Sequence, residues 1–299
     1  TAAGLVCLGK THLSEIAFSG LGLNPIMETP PCINDKDAVP GGSSSGAATS
    51  VAFGLAAAGI GSDTGGSVRI PSAWNDLVGL KTTHGRLSVT GVVALCAQFD
   101  TVGPLCRSVE DAGLLLAILE GSKPADLAGA SLKGARFAII DTLTMDSLRD
   151  APRAAFESAV QRLQVAGATV THIQMPEIHD AFDQAFNLYA ADSYGHWRDL
   201  VDAHPEKMFP QILERVRGGQ QVSGADYVAS WIKLHAVRKI YAAHLAGFDA
   251  FIMPTAPNMP PNAARLLTDD DYYKTENLLA LRNTRIENLM GGISLTLPT

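Results

Sequence analysis

Two segments rich in glycine and serine lie close together near the start of this chain and constrain its fold more than any other feature. The first is P-G-G-S-S-S-G, from Pro40 to Gly46, and the second is G-S-D-T-G-G-S-V-R-I-P-S, from Gly61 to Ser72. Glycine adopts positive φ angles at little cost and lets another part of the backbone approach closely. Both segments are therefore predicted to be tight loops around which a site can be built.

The residues between the two loops predict one helix and one returning strand. The stretch from Gly46 to Ala58 is small and apolar, which predicts a buried helix that is capped by Ser44 or Ser45. A-G-I-G-S then predicts a short buried strand that ends at Asp63, and a second helix is expected after the second loop. Because a returning strand can bring its two ends near each other, we expect the two loops to form one site.

The rest of the chain alternates predicted strands with predicted helices. A helix from Ser108, its N-cap, to Gly121, its stop, comes first. Residues 177–246 are predicted to be helical and carry many of the aromatic side chains. Two strands, A-R-F-A-I-I-D and A-T-V-T-H-I-Q-M, are predicted on either side of an amphipathic helix. Two more strands are predicted later in the chain, in F-D-A-F-I-M-P-T and S-L-T-L-P-T. Such alternation is typical of the α/β class.

The composition is that of a folded chain without a nucleic-acid or membrane surface. Of its 299 residues 46% are hydrophobic and 18% charged, and the net charge is −7. There is no dense basic run, and no apolar run reaches the roughly 20 residues that span a bilayer. The four cysteines have neither zinc-ligand spacing nor a disulfide framework. We expect free thiols, a cytoplasmic location and a small-molecule partner.

The organisation predicted from the sequence is one domain over residues 1–299, because no linker and no internal repeat is present. The chain begins without Met and stops within the strand-like run S-L-T-L-P-T. We therefore expect a domain that is truncated at both ends.

Serine chemistry is the function that the two loops favour. Ser67 follows Thr64, Gly65 and Gly66, and such small residues allow several backbone N–H groups to converge beside its hydroxyl, as an oxyanion hole requires. A glycine-rich turn without chemistry is the plain alternative. A phosphate loop is disfavoured because G-K-[ST] is absent, and an aspartic protease because D-T-G occurs only once.

The region that holds both loops resembles the signature of the amidase signature family of serine hydrolases. The likeness extends to four further segments, which leave only about 177–246 unmatched. The matched segments are P-G-G-S-S-S-G through V-G-L-K-T-T-H-G-R, L-G-K-T-H-L-S-E-I-A-F-S-G, F-D-T-V-G-P-L-C-R-S-V-E-D-A-G, F-D-A-F-I-M-P-T-A-P and N-T-R-I-E-N-L-M-G-G-I-S-L-T-L-P. The resemblance implies a mixed central β-sheet covered by helices on both faces, with 177–246 shaping the substrate pocket.

The resemblance also implies roles for individual residues. The family uses a Ser, cis-Ser, Lys triad, so Ser67 is expected to be the nucleophile and Ser43 the bridging serine on a cis peptide bond. Thr64, Gly65, Gly66 and Ser67 are expected to supply the oxyanion-hole amides. Asp63 and Arg69 are expected to brace the loop, with a surface ion pair as the alternative. Ser19 is expected to lie near the bridging serine.

The general base is expected to lie outside this chain. In the family it is a lysine on a strand before G-K-T, which corresponds to a position upstream of residue 1. Lys10 matches a different, structural lysine, and Lys81 lies in a predicted turn and strand. His84 is a weak alternative base, and His12, His172 and His235 are expected to be ordinary surface or core residues.

Three functions remain open from the sequence. The favoured one is hydrolysis of a small amide through an acyl-enzyme, with no metal or organic cofactor. A glutamine-hydrolysing subunit of a transfer-RNA amidotransferase is the second, although this chain has R-I-P where such subunits have R-Q-P. A catalytically dead homologue is the third. Assembly as a homodimer is left open.

Overall fold

The computed structural model describes residues 3–299. Its strands are β1 (Gly59–Ser62), β2 (Val78–Lys81), β3 (Val102–Cys106), β4 (Arg136–Ile140), β5 (Thr169–Ile173), β6 (Ala250–Ile252) and β7 (Ser294–Thr296). Its α-helices are α1 (Ser45–Ala52), α2 (Arg69–Trp74), α3 (Val109–Glu120), α4 (Asp150–Val165), α5 (Glu177–Ala203), α6 (Pro210–Arg217), α7 (Gly224–Leu245), α8 (Ala263–Leu266) and α9 (Asp270–Met290). The predicted α/β class is confirmed.

The strands form two hydrogen-bonded sheets, one antiparallel and one parallel. The antiparallel sheet has the order β1-β3-β2-β7, and Gly59 pairs with Leu105 in its register. The parallel sheet has the order β5-β4-β6, with β4 at its centre. Both the parallel and the antiparallel strand pairs that are expected of a mixed sheet are therefore present. The second loop continues from the end of β1.

Helix α1 ends earlier than the predicted boundary at Ala58, and Gly54 is the reason. Gly54 has a φ of +74°, its N–H donates to Val51, and the N–H of Leu55 donates to Ser50. This is the Schellman pattern, in which a left-handed glycine turns the chain out of a helix. The prediction that β1 is buried is also wrong, because Ile60 is 48% exposed.

The caps of α3 lie at their predicted positions, whereas Ser44, the N-cap of α1, forms no side-chain capping hydrogen bond. The side chain of Ser108 accepts from the backbone N–H of Asp111 at the start of α3, and Gly121 ends that helix in the left-handed conformation. The helical prediction for 177–246 is confirmed by α5, α6 and α7, of which α5 and α7 pack on each other and on α9. Helix α9 also packs on α2, the helix into which the second loop leads.

The four cysteines, Cys7, Cys32, Cys96 and Cys106, are free thiols, as predicted. No helix in the described part of the chain is long and apolar enough to cross a membrane.

Candidate active site

The two glycine- and serine-rich loops contact each other directly. The backbone N–H of Ser44 donates to the carbonyl oxygen of Ser67 over 3.1 Å. The hydroxyl of Ser44 also forms hydrogen bonds with the backbone of Ser62, near the start of the second loop. The peptide bond between Gly42 and Ser43 is cis. The structure therefore brings Ser43 and Ser67 into one buried site, where they are 1% and 4% exposed.

Glycine is required in the first loop because the segment around Gly20 packs against it. The N–H of Gly42 donates to the carbonyl of Gly20 over 2.8 Å. A Cβ at Gly42 would lie 2.5 Å from the backbone nitrogen of Gly22, closer than real Cβ contacts. Only a residue without a side chain fits between these two backbone segments.

Ser19 is linked to Ser43 through Ser14, which contacts both residues. The N–H of Ser14 donates to the carbonyl of Ser43, and the hydroxyl of Ser14 donates to the carbonyl of Ser19. The hydroxyl of Ser19 donates to Asn277 on α9. Ser19 thus fixes the segment that supports the first loop, while Ser14 touches the backbone of Ser43.

Asp63 and Arg69 form a buried ion pair inside the second loop. The Asp63 carboxylate accepts from Arg69 Nε at 3.0 Å and from a terminal guanidinium nitrogen at 2.9 Å. Asp63 is 0% and Arg69 2% exposed, so the alternative of a surface ion pair is wrong. Burial alone would raise the pKa of Asp63, but the charge and hydrogen bonds of Arg69 lower that pKa to about 2.

The Asp63 carboxylate also accepts hydrogen bonds from the backbone of the loop in which it lies. It receives the N–H of Gly66 at 2.8 Å and the N–H of Val68 at 3.1 Å. The loop is therefore wound around one carboxylate, in the way that an N-cap side chain organises the first turn of a helix. Asp63 positions the loop that leads into α2.

Helix α9 supplies two residues to the loop that the sequence analysis did not single out. Asn288 donates its amide group to the Asp63 carboxylate at 2.9 Å and accepts from Arg69 at 2.6 Å. Thr284 donates its hydroxyl to the carbonyl of Gly65 at 2.8 Å. Thr284 and Asn288 lie one helical turn apart in N-T-R-I-E-N, so their side chains share one face of the helix. That spacing is the sequence signal that could have identified them.

Three carbonyl groups of the second loop accept hydrogen bonds that fix the orientation of their peptide groups. The carbonyl of Asp63 accepts from the backbone and the hydroxyl of Thr101, that of Thr64 from the hydroxyl of Tyr189, and that of Gly66 from the N–H of Ile70. In a trans peptide the carbonyl and the following N–H point in opposite directions. These contacts therefore orient the N–H groups of the next residues, Thr64, Gly65 and Ser67.

Those three N–H groups are the candidates for an oxyanion hole. No acceptor for the N–H of Thr64, Gly65 or Ser67 is found within residues 3–299. The expectation for Gly66 needs correction, because its N–H already donates to the Asp63 carboxylate. Buried N–H groups without an acceptor are rare, and several on one loop form a place for a negatively charged oxygen.

The hydroxyl groups of Ser43 and Ser67 have no hydrogen-bond partner among the described residues. A base must accept a proton from a serine for it to attack an amide. The site therefore holds two available hydroxyls beside three oriented N–H groups.

The in-chain base candidates make other contacts. Lys81 on β2 is 0% exposed and donates to the carbonyls of Thr82 and Gly292. Burial lowers the pKa of Lys81 to about 8. His84 is exposed, and its Nε2 lies 3.3 Å from the carbonyl of Ala97. Neither side chain reaches Ser43 or Ser67 with a hydrogen bond.

The remaining candidates in the sequence have ordinary environments. Lys10, His172 and His235 are exposed. His12 is half-buried, and its Nδ1 lies 2.8 Å from the Ser45 hydroxyl. In the described part of the chain, no group of His, Cys, Asp and Glu side chains has the grouping needed to hold a metal ion.

An aromatic wall lies next to the second loop. The ring of Phe99 stacks on Tyr189 with 4.5 Å between centroids and on Trp231 with 5.2 Å. Tyr189 and Trp231 come from α5 and α7, and Tyr189 donates its hydroxyl to the carbonyl of Thr64. The helices of 177–246 thus contact the loop through this wall.

One family model and several known proteins are similar to this chain. A family model described as Amidase matches residues 1–299. The 2-amino-5-chloromuconic acid deaminase of Comamonas testosteroni is 37% identical over 299 residues, which cover 98% of this chain and 64% of that protein. One subunit of the glutamyl-tRNA(Gln) amidotransferase of Chlorobium luteolum is 30% identical over 298 residues, which cover 87% of this chain and 61% of that protein.

A solved structure described as an amidase has a TM-score of 0.84 with this chain at 28% identity, and the match covers 96% of this chain and 65% of that one. The chain spans less than two thirds of the length of each of these three proteins.

Proposed function

Because this chain belongs to the amidase family, we propose that it hydrolyses the C–N bond of a small carboxylic amide through an acyl-enzyme on Ser67. The contact between the two loops carries this proposal. It supports the proposal because Ser67 then lies close to Ser43, on the loop whose Thr64, Gly65 and Ser67 N–H groups have no acceptor among the described residues. A hydroxyl next to several free N–H groups suits attack on a carbonyl.

In the proposed reaction, the Ser67 oxygen bonds to the amide carbon while its proton passes to Ser43. The carbonyl oxygen becomes an oxyanion that accepts from Thr64, Gly65 and Ser67. When the oxyanion collapses, the C–N bond breaks and a proton returned through Ser43 leaves with ammonia or an amine. Water then attacks the ester on Ser67, and the carboxylic acid and the free serine are restored.

Ser43 is proposed to relay protons to a lysine that the family resemblance places before residue 1. A lysine accepts a proton only when it is neutral, and burial is what lowers the pKa of an amine enough for that. Lys81 is buried, but it donates to the carbonyls of Thr82 and Gly292. We therefore assign the relay to Ser43 and leave Lys81 out of it.

The relatives leave a second candidate function. One is named as part of a glutamyl-tRNA(Gln) amidotransferase and another as a deaminase. Within an amidotransferase, the same site would release ammonia from glutamine. The residues that follow the nucleophile, Arg69-Ile70-Pro71 in place of R-Q-P, favour the stand-alone hydrolase. In both cases α5 and α7 are proposed to shape the pocket, through Tyr189 and Trp231.

Turnover of a small aryl amide by the full-length protein tests the proposal. We expect release of the aryl amine, lost in Ser67→Ala and kept in Ser50→Ala. Ser50 is a suitable control because it lies on α1 and donates its hydroxyl within that helix, to Ala47. Glutamine hydrolysis that requires the presence of partner subunits would favour the amidotransferase. Equal activity of wild type and Ser67→Ala would refute both.

A further inference from the structure

Arg285 is a partly exposed arginine beside the second loop. It lies on α9 next to Thr284, whose hydroxyl donates to the carbonyl of Gly65 at 2.8 Å. Its guanidinium carbon is 5.7 Å from the ring centre of Tyr189. Tyr189 in turn donates to the carbonyl of Thr64 at 2.9 Å. Both contacts connect Arg285 to the peptide groups that orient the candidate oxyanion hole.

The guanidinium of Arg285 has no partner in the described part of the chain. No hydrogen bond or ion pair of its nitrogens is found there, although a guanidinium carries five N–H donors. The other arginines that approach the core from α2, α7 and α9 all have acceptors: Asp63 for Arg69, the carbonyl of Leu289 for Arg238, and the carbonyls of Thr144 and Asp146 for Arg282.

The contact with Tyr189 does not replace the missing hydrogen-bond acceptors of the Arg285 guanidinium. At 5.7 Å the guanidinium is close to the limit of about 6 Å at which a cation and an aromatic ring still attract each other. The contact therefore stabilises Arg285 little, and its donors remain available to a molecule that enters from solvent. A guanidinium held beside a site without an acceptor is a recognition group for an anion.

The electrostatic surroundings of Arg285 favour an anion further. Burial lowers the pKa of the Arg215 guanidinium, Tyr273 offsets part of that lowering, and repulsion from the positive charge of Arg285 adds to it. Burial likewise lowers the pKa of Arg285, and the interaction with Tyr189 offsets part of that lowering. With no carboxylate from the described residues against Arg285, a bound anion would compensate an otherwise uncompensated charge.

We propose that Arg285 binds a carboxylate group of the substrate, so that this site takes amides that also carry an acid group, such as the half-amides of dicarboxylic acids. The proposal deepens the proposed function and rests on it. A guanidinium pairs with a carboxylate through two parallel hydrogen bonds, which fixes direction as well as charge. Arg285 thereby orients the substrate so that its amide carbon meets Ser67.

The test compares each half-amide with its neutral methyl ester. For the full-length protein, kcat/KM is measured for succinamate, glutaramate and adipamate, and for the methyl ester of each. The wild type is expected to prefer the acid of at least one pair. In Arg285→Met, kcat/KM for that acid is expected to fall roughly 10- to 100-fold, while kcat/KM for its ester changes little. Arg285→Lys is expected to retain part of the activity on the acid that Arg285→Met loses.

Arg265→Met serves as the matched control. Arg265 lies on α8 at the surface, where it pairs with Asp269, so this variant removes the same charge at a distance from the loop. We expect it to leave the preference for the acid unchanged. An equal loss on acid and ester in Arg285→Met would show a structural role and overturn the proposal, as would a wild type without any preference for the acid.

Failure of this proposal is distinguishable from failure of the proposed function. If esters and acids are turned over equally and Ser67 is required for both, the proposed hydrolase activity is supported and the proposed carboxylate site is overturned. If no amide is turned over, binding of glutaramate to the full-length protein is measured by calorimetry. Binding that weakens by a similar factor in Arg285→Met supports the carboxylate site without the hydrolase, and absence of binding overturns it.

Discussion

The backbone N–H of Ser44 donates to the carbonyl oxygen of Ser67, so the two loops of the candidate site are joined by a bond between main-chain atoms. Replacing the side chain of Ser43 or Ser67 leaves both of these atoms in place. Alanine variants at the two serines therefore remove a hydroxyl without separating the loops. This makes the proposed chemical roles separable from the folding of the site.

Ser43→Ala tests the proton relay. Relay of a proton by a side chain contributes about 10²- to 10⁴-fold to a rate, so we expect a loss of that size in kcat with an unchanged melting temperature. The measurement is amide turnover with thermal unfolding followed alongside, and Ser50→Ala is the control. A Ser43→Ala variant with kcat close to that of the wild type would remove Ser43 from the mechanism.

Gly66→Ala tests how tightly the second loop is packed. Gly66 has a φ of +138°, and a Cβ there would lie 2.2 Å from the hydroxyl oxygen of Thr284. Strain of this kind costs about 1–3 kcal/mol. Gly65→Ala is the matched control, because its Cβ would meet Leu281 at an ordinary 3.6 Å. Urea unfolding should show a loss of stability in Gly66→Ala only, and equal stability of the two variants would contradict the structure of the loop.

Arg69→Met tests the buried ion pair. Removal of the guanidinium leaves the carboxylate of Asp63 buried and without its main counter-charge, and breaking such a pair costs about 3–5 kcal/mol of unfolding free energy. The surface arginine Arg265 pairs with Asp269, and Arg265→Met is expected to have little effect in the same denaturant titration. A small effect of both variants would mean that Asp63 does not depend on Arg69.

Lys81→Met tests the burial of an amine in β2. The pKa of Lys81 is about 8 in the folded protein, below the value of about 10.4 for an unfolded chain. Between these two values the unfolded state binds more protons than the folded state, so stability rises with pH. Unfolding free energies measured from pH 8 to 10.5 should rise by about 2.5 kcal/mol more in the wild type than in Lys81→Met. Parallel curves for the two proteins would show that the folded pKa is not lowered.

Much of the fold follows from signals that are local in sequence. The caps of α3 could be read from Ser108 and Gly121, because a hydroxyl before a helix and a glycine after it act through their immediate neighbours. The end of α1 was missed although Gly54 stood in the pattern. A glycine within an apolar run ends a helix only if the chain turns at that residue. Whether it turns depends on the tertiary packing of the neighbouring segments.

The contacts from α9 to the second loop were beyond local reasoning. Thr284 and Asn288 lie more than 200 residues after Gly65 and Asp63, and nothing in their own helical pattern states which loop they face. The burial of the Asp63 and Arg69 pair and the use of the Gly66 N–H by that carboxylate are likewise results of tertiary packing. The resemblance predicts which residues form the candidate site, and the contacts among the described residues determine which of its N–H groups have an acceptor.

Labelling by a fluorophosphonate tests the central assignment most directly, because the reagent bonds to an activated serine whatever the natural substrate is. The adduct on the full-length protein is located by mass spectrometry of its peptides. The account predicts one adduct, on Ser67, that is absent in Ser67→Ala, slowed in Ser43→Ala and unchanged in Ser50→Ala. An adduct on another residue, or an unmodified Ser67 in the wild type, would contradict it.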